Sequence, residues 1–180
     1  MVKMDISLDV EACGEVLLSI GACTFNPYSG TIGNQCSWVF PIQEQLDLGL
    51  KMDGKTFTWW LQQSEFARRA LVPNGTLPPL QECLEHFAYW MDPLQERKVW
   101  AYPASYDLPL IARVFGAAKI RVPWKWTKTM CARTLWHLAC ERNPQMQEIE
   151  KVENPNQHVA VDDAVEQAGW ITKYLSAVRT

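Results

Sequence analysis

Asp9-Val10-Glu11 sets two carboxylates two positions apart, so that in an extended chain both side chains leave the same face of the strand. Like charges so placed repel unless a cation lies between them, although Asp-x-Glu also fits a solvated strand end. A third acid, Asp107, stands where a short apolar segment gives way to helical spacing, and a fourth, Asp163, follows His158 by five positions near the end of the chain. Taken singly, Asp107 fits complementation of a helix dipole, and so do His158 and the Asp162-Asp163 pair as a cap and first turn. Taken together, Asp9, Glu11, Asp107 and Asp163 form an all-oxygen donor set of the kind that holds Mg²⁺ or Mn²⁺ with water and phosphate oxygens. Two such ions ~3.5–4 Å apart polarise a phosphodiester, generate hydroxide from water and neutralise a leaving 3′-oxygen. His158, titrating near neutrality, is placed to take the water's proton as general base.

These residues must be positioned by the elements around them. Val2 to Val10 reads as a strand, Ala12 to Glu15 as a hairpin join, and Val16 to Phe25 as a second strand with Val16, Leu18, Ile20 and Ala22 at period two. After the Asn26-to-Gly30 turn, Cys36 to Ile42 reads as a third strand, giving an antiparallel meander. From Thr56 the spacing becomes helical through Phe57, Trp60, Leu61, Ser64, Ala67 and Leu71, until Pro73-Asn74-Gly75 stops it. Leu80 to Met91 is a second helix, closed by Asp92-Pro93. Lys98 to Tyr102 is a short strand, Tyr106 to Phe115 a helix, Thr129 to Arg142 another, and Ala160 to Val178, after Asn154-Pro155-Asn156, the last. Strands first, then strands alternating with helices, predict an α/β domain with a mixed sheet. In such a sheet strand ends and the following helix starts gather at one edge, which brings Asp107 toward Asp9 and Glu11.

The 180 residues carry no repeat, linker or low-complexity stretch, so a single domain over 1–180 is expected. Hydrophobic residues at 48% and charged residues at 21% exclude a disordered or coiled-coil chain. No apolar run approaches the ~18–20 residues of a membrane span, and the start has no signal-peptide pattern, so a soluble, cytoplasmic protein with no membrane partner is expected. Seventeen basic against twenty acidic residues give a net charge of −3, which excludes gripping nucleic acid by bulk positive charge. The six cysteines include no CxxC pair and read as reduced, partly buried thiols.

The order Asp-x-Glu, mid-chain Asp and His-Val-Ala-Val-Asp-Asp-Ala resembles the DnaQ-like, DEDDh-type 3′-to-5′ exonuclease superfamily. Leu18 to Ala22, Thr58 to Ser64 and Arg133-Thr134-Leu135 narrow this to the branch with phage exonucleases, exodeoxyribonuclease VIII and a small bacterial exoribonuclease. The resemblance implies an RNase H-like fold, a mixed five-stranded sheet with its second strand antiparallel and helices on both sides. It makes Asp9, Glu11, Asp107 and Asp163 the ligands of two divalent cations and His158 the base. Two departures stand out: Tyr102-Pro103 where relatives often have Asn and Gly, and Cys131 where they often have Asp. The first bears on substrate contacts, the second on a supporting hydrogen bond.

Trp59-Trp60 and the basic residues between Lys119 and Arg133 are candidates for substrate contact. Adjacent helical residues point about 100° apart, so Trp60 fits the core while Trp59 is free to stack a terminal base. Lys125, Lys128 and Arg133, with Lys119 and Arg121, form the densest positive stretch and suit a phosphate path, although a solvated basic face fits them as well. The expected function is a metal-dependent 3′-5′ exonuclease releasing nucleoside 5′-monophosphates, with DNA slightly favoured over RNA through the phage-exonuclease resemblance. An exoribonuclease is the nearest alternative. An RNase H-fold endonuclease or resolvase, or a catalytically weakened nucleic-acid-binding protein, are the alternatives from other classes. The resemblance also implies that a homodimer is common, which an apolar helix face would support.

Overall fold

The computed structural model describes residues 4–73, 75–91, 96–151 and 157–179. Val2, Asn74, Asp92-Pro93 and Asn154-Pro155-Asn156, all named above as element boundaries, lie outside the described residues. In chain order the elements are β1 (Asp5–Cys13), β2 (Val16–Phe25), β3 (Ile32–Val39), α1 (Ile42–Asp47), α2 (Gly54–Leu61), α3 (Glu65–Ala70), α4 (Leu80–Met91), β4 (Val99–Ala101), α5 (Ala104–Ala117), β5 (Thr129–Cys131), α6 (Ala132–Arg142) and α7 (Ala160–Arg179). The sheet runs β3-β2-β1-β4-β5. The first three strands pair antiparallel and β1, β4 and β5 pair parallel. This is the mixed, RNase H-like sheet expected, with β2 as the reversed strand.

Alternation along β1 decides what each face of the sheet does. Ile6, Leu8, Val10 and Ala12 belong to an apolar cluster with Leu84 and Phe87 of α4 and Ile111 and Phe115 of α5. On the other face Cys23 and Phe25 of β2 and Trp100 of β4 pack with Leu135 and Ala139 of α6 and with Ala168, Ile171 and Tyr174 of α7. By the period of two, Asp9 and Glu11 share the α7 face. Asp9 pairs with Gly21 and Glu11 with Ser19, and just beyond Glu11 the register shifts so that Ala12 meets Leu17. Such a bulge re-aims the strand locally. Gln45 of α1 stabilises it, accepting from the Leu17 N–H at 2.9 Å and donating to the Leu17 carbonyl at 2.8 Å.

Four elements differ from the sequence expectation. β3 spans Ile32–Val39 rather than Cys36–Ile42, because its exposed, polar first half carries no apolar pattern and Pro41 caps α1 instead of ending a strand. The helix expected from Thr56 to Leu71 is two: Asp53 caps α2 by accepting from the Thr56 N–H at 2.7 Å, and Ser64 restarts the chain as α3 by accepting from the Ala67 N–H at 3.1 Å. Thr129 to Cys131, expected as helix, extends the sheet beside β4 before α6 begins. The first strand runs to Cys13 rather than ending at Val10. No helix among the described residues is long and apolar enough to cross a membrane.

Gly21 sets how closely α7 approaches the sheet. A Cβ there would lie 2.0 Å from the backbone of Ala160 and Val161. Main chain cannot rotate away as a side chain can, so Gly21→Ala is expected to cost about 3 kcal/mol, the upper end for overpacking. Gly169→Ala, where nothing lies within 4 Å of the added carbon, should instead gain about 0.5–1 kcal/mol of helix propensity. Urea unfolding of the two variants checks this; equal effects would mean that α7 does not rest on β2.

Candidate active site

β4 pairs with Ile6 and Ser7 and ends at Ala101, so Asp9 and Glu11 run on past its carboxyl end. Asp107 arrives there in the first turn of α5, and α7 brings Asp163 from the opposite layer. His158 precedes α7 with φ of 67°, a left-handed conformation that a non-glycine residue adopts only when its surroundings enforce it. Its N–H donates to Asp163 Oδ2 at 2.8 Å, which ties the turn to the helix. The result is an open cleft of about 290 Å³ lined by Asp9, Glu11, Asp107, His158 and Asp163. Donor atoms of Glu11, His158 and Asp163 lie within 4.8 Å of one another.

Glu11 and Asp107 are buried and Asp9 and Asp163 half-buried beside them, and among the described residues no lysine or arginine lines the cleft. Glu11 is 7% and Asp107 3% exposed. Burial, then the charges of Glu11, Asp107 and Asp163, hold Asp9 well above the usual carboxylate range, with a hydrogen bond from Gln167 working the other way. Burial, then Asp163 and Asp107, push Glu11 up to about 8. Burial raises Asp107 to about 7, against its own and the Tyr102 N–H and the more distant charge of Arg133. Burial raises Asp163 to about 6, opposed by the His158 N–H. His158 is lowered by burial, so its imidazole is neutral at pH 7. Asp107 Oδ2 is buried with no hydrogen-bond partner. Four mutually repelling carboxylates and an unpaired oxygen fit a hard divalent cation, which would favour the ionised form of every member.

The five expected site residues are therefore brought to one cleft. Trp59 joins them from α2: its ring centroid is 4.8 Å from that of His158, edge to face, and it stays 40% exposed. Trp60, as expected, is core, its indole N–H bonded to the Ala12 carbonyl at 2.9 Å. Arg133 borders the cleft, its guanidinium 5.1 Å from the centroid of the Tyr102 ring. Lys125 and Lys128 do not line the cleft. They precede β5 at its amino end, where both pair with Glu96, Lys128 at 3.8 Å. Cys131 sits at the start of α6, where burial raises its thiol but the side chain and N–H of Thr134 outweigh that and lower it, so a sulfur faces the donors that an acid would meet there. Tyr102, the other departure, lines the cleft and meets Trp170 edge to face at 6.1 Å.

Three further side chains of the cleft were not anticipated as site residues, Tyr106, Gln167 and Trp170. Gln167 follows Asp163 by four positions, the spacing that puts two helical residues on one face, and that was the available signal. A second cavity of about 320 Å³ lies beyond Trp60, among Leu18, Phe40, Phe57 and Leu61, but no carboxylate or histidine lines it. The acid chemistry belongs to the first.

Among known families, the model described as the 3′-5′ exoribonuclease Rv2179c-like domain matches residues 4–175. No curated protein matches the chain.

The raised acids give stability a defined pH dependence. Folded Glu11 keeps its proton up to about pH 8, whereas the unfolded chain releases it near 4, so between these values folding binds protons and stability falls as pH rises. Glu11→Gln lacks this term. In EDTA its melting temperature should match wild type near pH 4.5 and exceed it by roughly 10 °C near pH 8.5. A constant difference across that range would mean that Glu11 titrates as an ordinary surface acid.

Proposed function

The chain belongs to the Rv2179c-like 3′-5′ exoribonuclease domain family, a family of hydrolases acting on nucleic acid, and from that membership we propose a DEDDh-type 3′-5′ exonuclease that shortens RNA. The observation that carries this reading is the meeting of Asp9, Glu11, Asp107, His158 and Asp163 in one cleft at the sheet's edge. Asp9, Glu11, Asp107 and Asp163 would hold two divalent cations, Mg²⁺ or Mn²⁺. When bound, such a pair polarises the scissile phosphodiester, activates water and neutralises the leaving 3′-oxygen.

The remaining work falls to the protein's own side chains. His158, kept neutral by burial, accepts the proton of the attacking water at a ring nitrogen, and the hydrogen bond from its main-chain N–H to Asp163 fixes the turn that presents it to the acids. Trp59 offers its exposed face to the terminal base, since stacking tolerates any base and so suits an enzyme that removes nucleotides in turn. Arg133, exposed beside Tyr102, meets the phosphate next to the one being cut. Lys125 and Lys128, which share Glu96 at the far end of β5 and keep one net positive charge between them, contribute at most to diffuse attraction.

The family description supports RNA as the substrate. DNA, which the resemblance to phage exonucleases and exodeoxyribonuclease VIII favours, is the second reading, because discrimination rests on a few contacts to the terminal 2′-hydroxyl. Cys131 and Tyr102 depart from the pattern of that superfamily without removing any of the five residues.

A time course on 5′-labelled RNA and DNA of one sequence, single-stranded and duplex, with Mn²⁺, Mg²⁺ or EDTA, tests both. The expected result is a metal-dependent ladder shortening from the 3′ end, fastest on single-stranded RNA and lost in Asp163→Ala. Cleavage of a circular substrate would make the protein an endonuclease, and intact substrates in every lane would leave it a binding protein. His158→Ala should slow hydrolysis by about 10²–10⁴-fold while Mn²⁺ binding is kept. Loss of Mn²⁺ binding in that variant would make His158 a ligand instead of the base.

A further inference from the structure

Gln167 is 4% exposed on α7, one helical turn beyond Asp163, and reaches across to β1, where its Nε2 donates to Asp9 Oδ1 at 2.7 Å. Among the described residues no other side chain is hydrogen-bonded to the Asp9 carboxylate. Its own Oε1 is buried without a partner. Gln167 stands between the acids of the cleft and the buried apolar residues of the same helix, Ala160, Ala164, Ala168 and Ile171. The unpaired Oε1 costs stability that an apolar side chain of the same volume would not lose.

We infer that Gln167 is a positioning residue for Asp9, holding one carboxylate oxygen so that the other is presented to the cleft in a fixed direction. The inference rests on the proposed metal site and deepens it. Asp9 stands among three other carboxylates, and repulsion would drive its side chain away from the cleft unless a donor held it. A lysine or arginine would hold it too, but would neutralise the charge that a divalent cation needs. A glutamine amide fixes direction and leaves the full negative charge in place. Because it extends from the helix that carries Asp163, it also couples Asp9 to that acid through a hydrogen bond between the two layers.

The test combines a metal titration with stability. Gln167→Met conserves volume and removes the donor; Gln167→Leu is a second apolar replacement should the first fold poorly. Mn²⁺ alone is titrated by calorimetry into each full-length protein, thermal unfolding is followed in EDTA, and turnover is measured on single-stranded RNA. The expected result is Mn²⁺ affinity and kcat each lower by about 10–100-fold, unchanged KM, and a melting temperature equal to or above wild type. In an Asp9→Ala background the same substitution should weaken Mn²⁺ binding no further. Wild-type Mn²⁺ affinity in Gln167→Met, or a loss that adds in full to that of Asp9→Ala, would overturn the inference. If Asp9→Ala and Asp163→Ala themselves bind Mn²⁺ as wild type does, the metal site has failed and the role of Gln167 with it.

Discussion

The first turn of α7 rests on the main chain of β2 at Gly21, and the geometry of the cleft follows from that contact. Gly21 is the residue paired with Asp9, so where the helix touches the sheet is also where the first acid stands. Ala160, Ala164 and Ala168 are buried along the same helix, and their small side chains extend the close approach for two further turns. At that separation Asp163 and Gln167, one turn apart, both reach β1's neighbourhood, and His158 enters the cleft from the turn before the helix in a left-handed conformation. A larger residue at position 21 would move all three groups together.

Electrostatics then explains why so few cations are present. The acids are met chiefly by neutral donors: the His158 N–H at Asp163, the Gln167 amide at Asp9, and the N–H groups of Tyr102 and Asp107 at the Asp107 carboxylate. Neutral donors orient a carboxylate without cancelling its charge, whereas at the other end of β5 Glu96 is met by two lysines. One sheet edge thus keeps an unmet demand for positive charge and the other does not. The cost of burying the acids is offset by the apolar clusters on both faces of the same strands, which fix β1 whatever the state of its carboxylates.

Much of this was legible in the sequence because it follows from period and punctuation. Asp9 and Glu11 share a face in any strand, and the hairpin, the helix at Asp107 and the helix at Asp163 are bounded by Gly, Pro and capping residues. What escaped did so for particular reasons. Phe66 and Ala67 continue the helical spacing of Trp60 and Leu61, so the period masks the break at Ser64. β5 is three residues long and passes straight into α6, leaving no turn to mark it. Counting lysines gives the density of charge but not which end of a strand it falls on, and so Lys125 and Lys128 were grouped with Arg133. Gln167 is one polar residue in a 20-residue helix, and its burial depends on a strand 158 positions away.

Trp59 and Trp60 show how the core reaches into the chemistry. Their rings meet edge to face at 5.0 Å, Trp60 is fixed by its bond to Ala12, next to Glu11, and Trp59 in turn packs on His158. The exposed aromatic therefore takes its position from a buried one, and the eight-residue helix that carries both is held at its start by the Asp53 cap. On the proposed reading, a base stacked on Trp59 bears directly on the ring that accepts the proton. Recognition of the chain end and orientation of the base would then be one mechanical unit, anchored in the same strand that supplies the first two acids.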